Sequence, residues 1–336
     1  MKKRSFLPFL LAVVAVVAVS CKDRDSRVEL SGKAQGTYYS IIYYGHKDYQ
    51  PQIDSILDAF DQSASLWVEN SLLRQLNSNV TDSLDDILAE MFAQSAEINE
   101  YTGGAFDCTI GKLVRAWGFG FDKSSEMTDN LIDSLRQYTG QGIVEVTEEN
   151  RLQKRYPETE IDFNAIAQGY VVDIIADFLT REGVESFLVD VGGEVIARGV
   201  KPDGSSWGVG IERPAADKDS PQEVELVINL DDMSVVTSGN YRKYYEKEGV
   251  KYSHTIDPMT GRPVEHSLLS VSVVDKYAWR ADALATAFMV MGLEKSLQFI
   301  DSHPDDPQVQ AVLFIYDDNG EMRTFATHEF EKIIRK

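Results

Sequence analysis

A chain of 336 residues that is 43% hydrophobic has enough apolar material for a substantial core. Its formal charge of -21 argues against binding a nucleic-acid backbone, which takes a basic patch. One bound nucleotide remains compatible, because a local site can be built from a metal ion and backbone amides.

The first twenty residues stand apart. Lys2, Lys3 and Arg4 form a basic start, and Phe6 to Val19 is apolar apart from Pro8. Small residues Ala18, Val19 and Ser20 lead to Cys21. Charge, apolar length and cleavage chemistry predict a signal peptide over 1–20, too short to be read as a membrane span. A Cys directly after small residues suggests a lipobox, with Cys21 acylated as the new N-terminus. Ala18 sits where Leu is commoner, and the competing reading is plain cleavage beside an incidental Cys. Residues 21–30 are then the lipidated Cys and a polar tether, and 31–336 a single domain. Removal of 1–20 takes away three positive charges and no acids, so the charge becomes -21 - 3 = -24. Cys108 is the remaining cysteine and is expected to be a small buried residue, not a redox centre.

Val28 to Tyr44 is rich in β-branched and aromatic residues around Gly36-Thr37, which predicts a strand pair or bent strand. Ile53, Ile56, Leu57 and Phe60 make one helical stripe. Ser83 to Tyr101 reads as a second amphipathic helix, stopped by Thr102-Gly103-Gly104. Residues 122–160 are polar and predict a peripheral helix and hairpin. A third helix is expected over 164–182, with Asn164 as N-cap and Gly183 as stop. Phe187 to Val191 is a short buried strand. Residues 194–212 and 222–237 alternate as antiparallel strands do, with turns at Pro202-Asp203-Gly204 and Asp231-Asp232. Val271 to Val274 is a further strand, 282–301 a fourth helix and Val309 to Tyr316 a last strand. Strands in antiparallel runs between helices predict an α+β fold, antiparallel sheets with packed helices.

Asp282 and Thr286 lie four apart on a predicted helix, hence on one face. A carboxylate and a hydroxyl are hard oxygen ligands that suit Mg2+. A helix-capping Asp competes with that reading. Asp162 precedes the predicted 164–182 helix, whose N-terminus would offer N–H groups and a positive dipole to a phosphate, with Gln168 and Gly169 in the first turn. A capping pattern competes here too. His254 stands three residues before the turn Asp257-Pro258-Met259-Thr260-Gly261 and beside Thr237-Ser238-Gly239-Asn240 in kind; it is a candidate general base or a structural His. Gly103-Gly104-Ala105-Phe106-Asp107 permits close backbone approach to a ligand or simply stops a helix. Trp67, Trp117 and Tyr170 are candidates to stack on flat rings or to fill the core.

Taken in order, these motifs resemble the FAD:protein FMN transferases, the ApbE family, from about residue 34 to the end. The match runs through Gly36-Thr37, Ser71 to Asn77, Gly104 to Gly111, Trp117-Gly118-Phe119, Asp162 to Gly169, Val189 to Glu194, Thr237 to Arg242, His254 to Pro263 and Ala281 to Thr286. The resemblance implies an ApbE-like (T-fold-like) fold and a Mg2+-dependent enzyme that cleaves FAD. It implies that FMN is attached through a phosphoester to a Thr or Ser of an acceptor flavoprotein, a subunit of a respiratory sodium-pumping or electron-transport complex, with release of AMP. By matching position, Mg2+ would be held by Asp282 and Thr286 with main-chain oxygens at Ala165 and Ala285. FAD would contact Gln35, Trp67, Ala105, Phe106, Asp107, Asp162, Gln168 and Ile256, and His254 would be catalytic. Gln35 replaces a usual Met, Trp67 a Tyr of some relatives, Cys108 a common Pro and Asn240 a common Asp. Two alternatives stand beside transfer: a periplasmic FAD pyrophosphatase, and a non-catalytic flavin-binding lipoprotein. The leader implies an exported, membrane-anchored protein facing the periplasm or cell exterior.

Overall fold

The computed structural model describes residues 26–119, 126–215, 223–240, 244–247 and 250–336. Strands β1 (Arg27–Ala34) and β2 (Thr37–Tyr44) form a hairpin. Gln35 and Gly36 at its tip have φ of 52° and 75°, the left-handed backbone that tight hairpins take. Helix α1 (Gln50–Ala64) buries Ile53, Leu57 and Phe60, as the spacing predicts. The short helix α2 (Leu72–Asn77) follows, its Ser71 cap accepting from the Arg74 amide. Helix α3 (Asp86–Tyr101) is capped by Asp85, which accepts from Leu88. Helices α4 (Gly111–Ala116) and α5 (Asp129–Arg136) and the hairpin of β3 (Val144–Val146) and β4 (Leu152–Lys154) make up the periphery. Helix α6 (Ala167–Arg181) leads to β5 (Phe187–Val191) and β6 (Glu194–Arg198).

A second hairpin pairs β7 (Trp207–Glu212) with β8 (Val224–Leu230). Then come β9 (Ser234–Gly239), a hairpin of β10 (Tyr244–Lys247) and β11 (Val250–Ser253), the short β12 (Ile256–Asp257) and β13 (Arg262–Pro263), and β14 (Leu268–Asp275). Helix α7 (Ala278–Ser302), strands β15 (Val312–Asp318) and β16 (Glu321–Ala326) and helix α8 (His328–Ile333) complete the chain.

Eight strands form one antiparallel sheet in the order β1-β2-β5-β6-β9-β14-β15-β16. Its alternating side chains divide the interior in two. On one face Ile41, Val189, Ile196 and Val273 pack under α1, α6 and α7 in the main core. On the other, Val195, Ala197, Val235 and Leu313 pack against Trp207, Ile211 and Phe330 of the β7–β8 hairpin and α8. The fold is α+β, as the order of elements predicts.

Two expectations change, and four elements carry no signal in the sequence. Helix α6 starts at Ala167, and its N-cap Ile166 makes no side-chain cap. Asn164 is therefore not the cap; its amide donates to Asp162 Oδ1 at 2.8 Å in the turn before the helix. Helix α7 starts at Ala278, so Asp282 sits inside it and not at its start. The helices α2, α4 and α8 span six residues each, too short to show a 3.6-residue period. Strand β16 is mostly exposed and lacks apolar alternation.

Helices α6 and α7 cross closely at Gly169. A Cβ there would lie 2.4 Å from the Ala278 carbonyl oxygen, which is backbone and cannot move aside. Gly169→Ala is therefore expected to cost about 1–3 kcal/mol or more, read as a lowered midpoint in denaturant unfolding.

Candidate active site

Strands β5, β6, β7 and β9, helices α1, α6 and α7 and the loops between them line a cavity of about 1160 Å³. Gln35, Trp67, Ala105, Phe106, Asp107, Asp162, Ala165, Gln168, His254, Ile256, Asp282 and Thr286 all line it. Ala285 does not; it is fully buried beside them on α7. Cys21 lies outside the described residues, as do Tyr241 and Arg242 of the Thr237–Arg242 motif. Cys108 is buried and free, as expected, and burial pushes its thiol up.

Asp282 is held by its helix. Its Oδ2 accepts from the Gly169 amide at 3.1 Å, across the α6–α7 crossing. Burial drives its carboxyl well above the usual carboxylate range, and that single N–H pulls only weakly the other way. A carboxylate has about four acceptor positions, so Asp282 is poorly neutralised by protein groups. Thr286, one turn on, shares the wall, and its Oγ1 lies 3.0 Å from Ser238 Oγ on β9. Among the described residues, no group of three or more His, Cys, Asp or Glu could hold a metal. A cation here would rest on one carboxylate, one hydroxyl and main-chain oxygens, a hard-oxygen set that suits Mg2+ and not zinc.

Asp162 is buried at the floor. Its amide donates to the Cys108 carbonyl at 2.8 Å, and burial raises its carboxyl against one bond from Asn164. Asp107 is buried as well; its Oδ1 accepts from the Thr109 amide and hydroxyl, yet burial still raises it. The expected amide cradle at the start of α6 is largely used up. The amides of Ile166 and Ala167 donate to the Phe163 carbonyl, and those of Asn164 and Gly169 to carboxylates. The β1–β2 turn carries Gln35 to the cavity wall, where its side-chain oxygen is buried with no hydrogen-bond partner among the described residues. A buried acceptor without a donor is costly. A ligand rich in N–H and O–H groups, such as FAD, would satisfy it. Trp67 stands at the rim, 61% exposed, an aromatic surface suited to a flat ring. His254 faces the cavity with Phe119 edge-on at 6.4 Å.

The ApbE family model matches residues 35–313. The chain belongs to the ApbE family. It is 34% identical to the FAD:protein FMN transferase of Vibrio cholerae serotype O1, over 98% of this chain and 99% of that protein. It is 30% identical to the Escherichia coli K12 FAD:protein FMN transferase, over 98% of each. The apo crystal structure of the Pseudomonas stutzeri flavinyl transferase ApbE superposes with a TM-score of 0.81 at 34% identity, covering 92% of this chain and 97% of that one.

Within this ApbE-family fold, one residue that sequence reasoning passed over helps to place Asp282. Asp173 of α6 accepts from the amides of Ala278 and Trp279, at 3.0 and 2.8 Å, and so caps α7. Its signal was legible: an acid within Val171-Val172-Asp173-Ile174-Ile175 must find a partner. The β7 wall was also passed over, and Ser238 was read only as part of the Thr237–Arg242 motif. Burial pushes the Asp173 carboxyl up to about 7, more than its two N–H bonds lower it. A carboxyl raised on folding adds stability below its unfolded pKa of about 3.9, and this stability is lost as pH rises through about 7. Unfolding free energy measured against pH should therefore fall between about pH 4 and 7 by up to about 1.4 kcal/mol per unit relative to Asp173→Asn. Parallel profiles for the two chains would refute the assignment.

Proposed function

We propose that this chain is a Mg2+-dependent FAD:protein FMN transferase. The observation that carries the reading is that Asp282 and Thr286, one turn apart on α7, face the same cavity as His254 and the unpartnered Gln35 oxygen. The relatives named above, matched over nearly their whole length, are named FAD:protein FMN transferases, which supports the transfer part of the reading.

Asp282, Thr286 and the carbonyl oxygens of Ala165 and Ala285 would hold Mg2+, which when bound neutralises pyrophosphate charge and polarises phosphorus. Gln35, Trp67, Ala105, Phe106, Asp107, Asp162, Gln168 and Ile256 position FAD. His254 takes the proton of an acceptor Thr or Ser hydroxyl. The freed oxygen bonds to the FMN-side phosphorus, the bond from that phosphorus to the bridging oxygen breaks, and AMP leaves with its electron pair. Such transfer depends mainly on positioning and charge stabilisation, and the chain needs no covalent nucleophile of its own. The acceptor is a flavoprotein subunit of a respiratory sodium-pumping or electron-transport complex.

The test combines FAD, MgCl2 and an acceptor domain, with FMN addition read by mass spectrometry and AMP by chromatography. Asp282→Ala should abolish the response to Mg2+. His254→Ala should lower the transfer rate by about 10²–10⁴-fold, the usual worth of a general base. AMP formed at the same rate without acceptor would instead identify a pyrophosphatase.

The same reading makes residues 1–20 an export signal and Cys21 the lipid-bearing N-terminus of an anchored protein outside the cytoplasm. Cys21→Ala should move the chain from the membrane pellet to the soluble fraction. Retention in the pellet would refute the anchor.

A further inference from the structure

The cavity extends beyond the side chains given to FAD and Mg2+. Part of its wall is five consecutive residues of β7, Gly208 to Glu212. Side chains alternate between the two faces of a strand. A cavity bordered by consecutive strand residues therefore runs along the strand's edge, not over one face. That edge is open: among the described residues, β7 pairs with β8 alone.

The register shows which groups the edge presents. Gly210 lies opposite Val227 of β8, and Gly208 opposite Asn229. The Val227 carbonyl points away from β7, because it accepts from the Arg335 amide at 2.8 Å on the outer side of β8. Opposed residues in an antiparallel pair turn their backbone groups either both inward or both outward. Gly210 therefore aims its N–H and C=O at the open edge, and Gly208, two residues away, does the same. Both glycines are exposed; the Arg335 guanidinium lies over the face of Gly208, where its Nε donates to Asn229 Oδ1, and Gly210 is the less covered of the two. Sheet edges are ordinarily protected by Lys, Pro or an inward-pointing charge; on β7 the one charged residue is Glu212 at its end, and Trp207 to Ile211 carries no Lys or Pro.

We propose that the β7 edge is the docking site for the acceptor protein. The segment bearing the target Thr or Ser lies extended along Gly208–Gly210 as an added strand, with its hydroxyl delivered into the cavity that Asp282 and His254 share. The proposal rests on the transferase reading. An open ladder of N–H and C=O groups matches another peptide backbone and not a flavin. The residues given to FAD sit on the β1–β2 turn, on the segments around α1, α3 and α6 and on β12, and none of them belongs to β7. The cavity, at about 1160 Å³, is large for a small-molecule site, ordinarily roughly 300–1,000 Å³. Leu188 and Val195 line the same cavity and supply apolar contacts for alternate side chains of the segment. Main-chain pairing tolerates varied sequence, so the hydroxyl is the one element the acceptor must supply.

The test is Gly210→Pro, assayed with a soluble acceptor domain whose mature form carries phosphoester-linked FMN on a threonine. The proline ring removes the N–H that faces the edge and leaves the bonds to β8 intact, a position where edge strands accept proline. The KM for acceptor should rise about tenfold, as loss of one main-chain hydrogen bond predicts, with kcat at saturating acceptor and the fluorescence titration of FAD equal to those of the parent. Independently, hydrogen exchange on the parent chain should show the Gly208 and Gly210 amides protected when acceptor is added. An unchanged acceptor KM, or no protection, overturns the edge assignment while the transferase reading stands. Protection that grows with protein concentration without acceptor assigns the edge to a second copy and also overturns it. No FMN transfer by the parent chain overturns the transferase reading and this proposal together.

Discussion

Two buried carboxylates lock α6 and α7 to each other, and the wall of the cavity depends on that lock. Asp173 of α6 caps the first amides of α7, while Asp282 of α7 accepts from the Gly169 amide of α6. Gly169 lets the two backbones approach, since any larger residue would meet the Ala278 carbonyl. A third acid, Asp275 at the end of β14, binds the Tyr277 amide and the Arg280 guanidinium and fixes the start of α7 from the other side. The helix is thereby set in rotation as well as position. Asp282 and Thr286 consequently point at the cavity, and Ala285 between them is buried.

The lock also explains why Asp282 is suited to a cation. A carboxylate taken out of water must be compensated, and one amide hydrogen bond compensates little. The protein holds an acid in a state that bound positive charge would relieve. Gln35 repeats this on the opposite wall with a neutral group: a hairpin tip in left-handed backbone brings an amide oxygen into the cavity without a donor. Both sites are underserved by the protein, and both face the same space.

The second face of the sheet contributes in another way. The β7–β8 hairpin and α8 bury Trp207, Ile211 and Phe330 against it and close a smaller core. The C-terminal residues take up the outer edge of β8, where Ile334 bridges Ile228 and Arg335 binds Val227. The inner edge of the hairpin is left to border the cavity. Along β7 the cavity wall is bare strand.

Sequence by itself determined the elements with strong periodicity and the class of fold: the β1–β2 hairpin, α1, α3, the antiparallel run from β5 to β9, and α7. Apolar spacing is a local property, so it survives without knowledge of the partners. The α7 spacing also put Asp282 and Thr286 on one face. Only the tertiary structure decided what each polar residue does. Asn164 reads as a cap in sequence, yet the helix starts three residues later because Asp162 draws its amide into a turn. Most of the amides expected to cradle phosphate are taken by Phe163, Asp162 and Asp282. Asp173 and the β7 edge carry no family motif; their meaning comes from what lies opposite them. Asp162 and Phe163 bind amides within a few residues, but Asp173 and Asp282 find theirs more than a hundred positions away, and no local window of sequence contains both sides of those bonds.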